Sequence, residues 1–176
     1  MNLSSVISAL ARWLAIAGGV VLVAITVMTT FSIAGRAFSW AGLGPVPGDF
    51  ELVEAGTGFA VFAFLPWCQL NRGHATVDLF TSYLSPGANR ILDLLWEIVL
   101  SLITILIAWR LWVGMLEKRG YGETTFILQF PIWWGIALCA AATIVGVIVA
   151  VYMIVIRAME VAKGRSLLGQ STGAVH

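Results

Sequence analysis

The chain has 176 residues, of which 60% are hydrophobic and 11% charged, and its formal net charge is +1. Ordinary soluble domains carry roughly a quarter charged residues, so this composition excludes a domain that keeps itself in water. The near-zero charge also excludes nucleic acid as a partner, because a phosphate backbone calls for a patch of Lys and Arg.

A helix needs about 20 apolar residues to cross the hydrocarbon of a bilayer, and four segments meet that length. The first runs from Trp13 to Ala34 without a charge. It is about twice the usual apolar core of a signal peptide, so it is predicted to be a retained span. A loop rich in Gly and Pro, Gly42 to Gly48, leads to the second span, Glu51 to Leu70, whose acids Glu51 and Glu54 sit near its start. Asn71-Arg72-Gly73-His74 opens the next connection, which holds an amphipathic stretch, Asp78 to Leu84, suited to lying along the membrane interface. Ser85-Pro86-Gly87 turns into the third span, Ile91 to Leu116, which carries Asp93, Glu97 and Arg110. Lys118 to Gly122 and then Pro131 separate it from the fourth, Ile132 to Ile156, again uncharged. Each run is continuously apolar, whereas a membrane strand alternates over about ten residues. The predicted fold class is therefore an all-α membrane protein with four transmembrane helices within residues 1–164, followed by a polar tail over 165–176 expected to be disordered.

Basic residues set the orientation. Arg12, Arg72, Arg90, Arg157, Lys163 and Arg165 fall on one side, and Arg36, Lys118 and Arg119 on the other. The richer side is the cytoplasmic one, which places both termini inside. Trp13, Trp40, Trp67, Trp112, Trp133 and Trp134 sit near span ends, as an aromatic belt would.

Charges in a bilayer are expensive, so those inside spans face protein or water. Arg90, Asp93, Glu97, Ser101 and Thr104 follow helical three- and four-residue spacing and form one polar stripe. The stripe reads either as an ion path or as a packing seam, with Arg90 pairing Asp93 or Glu97; the seam is favoured because no other span offers charges to continue a path. Glu54 and Arg110 are a candidate ion pair between the second and third spans, in competition with Arg110 reaching the head groups along its own stem. Ala142, Gly146 and Ala150, four apart, make a smooth face where helices can approach closely. Cys68 and Cys139 lie at different depths, which favours inert thiols over a disulfide. His74 reads as a loop residue at the interface. Histidines within spans, paired cysteines facing outward and a nucleotide loop are all missing, so the sequence offers no obvious seat for chemistry.

The stretch from Phe59 through Asn71-Arg72-Gly73-His74-Ala75-Thr76-Val77-Asp78-Leu79 resembles the DctQ-like small membrane subunit of tripartite ATP-independent periplasmic (TRAP) transporters, with Arg72, His74 and Val77-Asp78 at matching positions. Gly122-Glu123-Thr124-Thr125 leading to Phe130-Pro131-Ile132-Trp133 is similar to the segment before that family's last span, and Glu54 and Arg110 fall where the family tends to be polar. The resemblance implies a multi-pass protein of the bacterial inner membrane with no catalytic or metal residues and no cofactor of its own. Its implied partners are a large permease subunit, which would hold the substrate and sodium sites, a periplasmic substrate-binding protein, and membrane lipid. In that role the chain braces the scaffold of the large subunit in importing an organic acid, and Asp49, Glu51 and Glu123 become candidate contacts for the binding protein. Two other readings stand beside it: a membrane anchor of a respiratory enzyme, disfavoured by the lack of histidines in the spans, and a small self-sufficient channel with Asp93 and Glu97 lining a pore.

Overall fold

A long apolar run in lipid must satisfy every backbone N–H and C=O within itself, and a helix does so. The computed structural model, which describes residues 3–71 and 86–163, has four such helices: α1 (Leu3–Ala37), α2 (Asp49–Leu70), α3 (Pro86–Tyr121) and α4 (Trp133–Lys163). Each contains a stretch long and apolar enough to cross a membrane. A 3-10 turn, Ser39–Ala41, follows α1. Among the described residues there is no strand, only an isolated bridge between Thr124 and Pro131.

The helices outrun the apolar segments that predict them. At 1.5 Å per residue the 35 residues of α1 reach roughly 50 Å, against about 30 Å of hydrocarbon. Hydropathy marks only the lipid-bathed part. The backbone stays helical beyond it because neighbouring helices continue alongside: Ile7 and Ala11 on α1 are buried with Val149 and Met153 on α4.

The packing order is α1–α2–α4–α3. α3 packs along α4, α1 along α2, and α2 along α4, while α1 meets α4 only sparingly and α1 and α3 share no packed interface. The four helices therefore form an open layer. α4 is the middle of it, with half of its apolar window buried, and α1 is the most open, at 6%. Small residues make the close approaches. A Cβ on Gly18 would sit 2.9 Å from the Ala63 Cβ, and Ala60, Ala63, Ala140, Ala142 and Ala150 are buried. Such surfaces let helix backbones come together where lipid supplies no hydrophobic drive.

Two ends follow from this arrangement. The end carrying Leu3 and Lys163 is the termini end; the other, with the α1–α2 and α3–α4 loops, is the loop end. α2 holds Pro66 within the helix, and the proline is fully buried. It removes one backbone donor and loosens the α2 ladder at that turn.

Candidate functional site

At the termini end the polar stripe of α3 faces protein. The Arg157 guanidinium on α4 donates to Asp93 at 2.9 Å and to Glu160 at 3.4 Å. Arg157 and Glu160 are buried, whereas the Asp93 side chain is 41% exposed. Glu97 is buried and accepts a 2.5 Å hydrogen bond from the Gln69 amide of α2. Ser101, fully buried, points its hydroxyl at the Ala150 carbonyl of α4, 3.5 Å away. The stripe is a seam that stitches α2, α3 and α4. Asp93 pairs across to α4; Arg90 lies in the first turns of α3, and its side chain is outside the described residues.

Gly146 lies where α2 and α3 converge on α4: a Cβ there would meet the Thr104 Cγ2 at 3.5 Å and the Pro66 Cγ at 3.8 Å. Ala142, Gly146 and Ala150 are all buried, so this smooth face is spent inside the layer.

At the loop end the buried carboxylate binds backbone instead. Glu51, 5% exposed, accepts from the Ile127 N–H at 2.7 Å and the Leu128 N–H at 3.0 Å. The loop it grips is also closed on itself, through Thr125 N–H to the Phe130 carbonyl at 2.9 Å and Ile132 N–H to the Glu123 carbonyl at 3.1 Å. Gly48, at φ 71°, packs where a Cβ would strike the Leu128 side chain. Asp49 accepts from the Ser32 hydroxyl and lies 3.7 Å from the exposed Arg36. Glu123 pairs with Lys118 at 2.5 Å, and the Arg119 guanidinium lies 5.4 Å from the centre of the Trp133 ring.

Several expected sites change meaning. Glu51 is turned inward and its oxygens are occupied, so it anchors the loop and offers no surface to a binding protein. Glu54 and Arg110 do not form an ion pair. Leu111 lines a cleft beside Glu54, and Arg110, one residue earlier, is rotated about 100° away onto the open face of α3 among Ile103, Leu106 and Trp109. Arg72, His74 and Asp78, the amphipathic stretch 78–84 and the tail over 165–176 lie outside the described residues. Cys139 is buried and Cys68 partly so, and neither is in a disulfide.

Arg157, Glu160 and Gln69 are the residues that sequence reasoning missed. The apolar run ends at Ile156, which assigns Arg157 to water, yet the helix continues to Lys163 and carries the arginine back against α3. The signal was present in the spacing: Arg157 and Glu160 are three apart on one face, at the same end as Asp93. Among the described residues no group of three or more His, Cys, Asp or Glu side chains converges as a metal site. What the arrangement does is hold helices in register.

A family model described as "Tripartite ATP-independent periplasmic transporters, DctQ component" matches residues 25–162. No curated protein and no solved structure matches the chain.

Proposed function

The chain belongs to the DctQ family, the small permease component of TRAP transporters, and on that premise we propose that it serves as a static brace for the large permease subunit and holds no substrate site of its own. The observation that carries this reading is the open layer. α4 is half buried, while α1, α2 and α3 are 6%, 22% and 11% buried over their apolar windows. The polar groups of the spans are largely taken up by contacts between these helices, as in Asp93–Arg157 and Gln69–Glu97. A transporter with its own midplane site needs interrupted helices around a polar cavity; the four spans here are continuous helices. A broad flat layer suits a different task, which is to widen the footprint in lipid of a scaffold against which another part slides.

In this reading the large subunit carries the substrate and sodium sites and imports an organic acid captured by a periplasmic binding protein. The termini end faces the cytoplasm, in keeping with its richer share of Lys and Arg. The loop end faces the periplasm and helps to dock the binding protein. Phe126, 93% exposed at the tip of the loop that Glu51 holds, is the most prominent side chain offered there. Copurification tests the assignment. A tagged chain expressed with its genomic neighbours should bring down a much larger polytopic membrane protein. Recovery of the chain alone in mild detergent, with transport intact in its absence, would overturn it.

A further inference from the structure

α2 and α3 converge on Gly146 of α4, through Pro66 and Thr104, and part toward the loop end. There they leave a cleft of about 340 Å³ floored by Gly135 and Cys139 of α4 and walled by Ala55 and Glu54 of α2 and Leu111 of α3. A helix 10–12 Å across with a 1.5 Å rise fills roughly 120–170 Å³ per residue, so the cleft has room for less than one turn. It suits a flexible chain rather than a helix. The wall is apolar but for its two carboxylates and the hydroxyls of Thr124 and Thr125. Glu51 is committed to the Ile127 and Leu128 N–H groups, which leaves Glu54 as the exposed acid at the rim. Glu54 lies five residues into α2, about 8 Å along the helix from Asp49, a depth within reach of the head-group layer. Arg110, the basic residue at this level of α3, faces away, so the cleft wall holds no positive charge.

We propose that this cleft is a lipid site, which takes one acyl chain of a phospholipid bearing a primary ammonium and seats that ammonium against Glu54. The tail lies between α2 and α3 with Thr125, Phe126 and Phe130 of the α3–α4 loop against it at the loop end, and the head group remains at the Glu54 rim. A negatively charged rim selects a zwitterionic lipid with an N–H donor over an anionic one. The site depends only on the membrane placement of the chain and holds or fails apart from the role as a brace.

Native mass spectrometry of the full chain, purified from bilayers of equal phosphatidylethanolamine and phosphatidylglycerol, tests it. The expected result is one retained phosphatidylethanolamine, a selectivity that falls about three- to tenfold in Glu54→Gln, the size of an exposed charge pair or somewhat more, and a reversed preference in Glu54→Lys. Leu111→Trp, which fills the cleft, should remove the bound lipid without changing the helical circular dichroism. If Leu111→Trp does not fold, the two Glu54 variants still decide the matter. Equal retention of the two lipids by the wild type, or no change in Glu54→Lys, overturns the site. So does selective binding that vanishes once the large permease subunit is bound, because the cleft then belongs to a side chain of that partner.

Discussion

The two ends of the helix layer solve the same problem in different ways. Carboxylates at a membrane boundary need partners. The termini end supplies them from side chains, as Arg157 does for Asp93 across to α3 and for Glu160 along its own helix, and as Gln69 of α2 does for Glu97 of α3. At the loop end the buried carboxylate takes its partners from backbone, with Glu51 holding two consecutive N–H groups of the α3–α4 loop. Side-chain pairing locks helices to each other and fixes register. Backbone pairing locks a loop in one shape and leaves the helices beneath it free to part, which is where the cleft lies. The proposed brace would be served by both: the first would keep the layer flat, and the second would present a fixed outer surface.

The sharpest way to break this contrast is at Arg157. Arg157→Met should destabilise the protein by about 3 kcal/mol, the low end for removing one partner of a buried pair, since Asp93 is partly open; thermal unfolding in detergent measures it. Loss within error of zero would mean the termini end is not stitched by charge. Gln69→Leu should cost about 2 kcal/mol by leaving the buried Glu97 without its donor. The double variant with Glu97→Met should recover most of that loss, because an apolar pair replaces the polar one. Glu51→Gln should act locally: amide exchange at Ile127 and Leu128 should quicken by about tenfold or more, with the helices unchanged. Exchange that rises along α2 and α4 instead would show the two ends to be coupled. The smallest effect belongs to Arg110→Gln, expected within about 0.5 kcal/mol of the wild type in the isolated chain, because it pairs with no carboxylate among the described residues.

Much of this architecture was legible beforehand, for a plain reason. Uninterrupted apolar runs have few physical solutions in lipid, so four helices follow from hydropathy alone. The stripe Asp93, Glu97, Ser101 was legible as well, because spacing on one helix is a local property. What escaped is which face meets which neighbour. Arg110 and Glu54 were taken to meet at one level, yet a one-residue rotation decides that Leu111 and not Arg110 lines the cleft. Arg157 was assigned to water because a hydropathy profile ends where charge begins, while the helix does not. Glu51 looked like a surface acid; its burial depends on a loop more than 70 residues later in the chain. The order α1–α2–α4–α3 is likewise a tertiary fact with no sequence signature.

The open layer itself is the claim on which the rest stands, and one distance tests it. Spin labels at Ile16 on α1 and Ile105 on α3, both exposed positions at similar depth, report the separation of the two outer helices by pulsed electron resonance. With interaxial spacings of 8–10 Å, a layer in which α2 and α4 intervene predicts helix axes roughly 20 Å or more apart, both in the free chain and beside the large subunit. A closed four-helix bundle would bring them to about 10–14 Å, and that result would contradict the account.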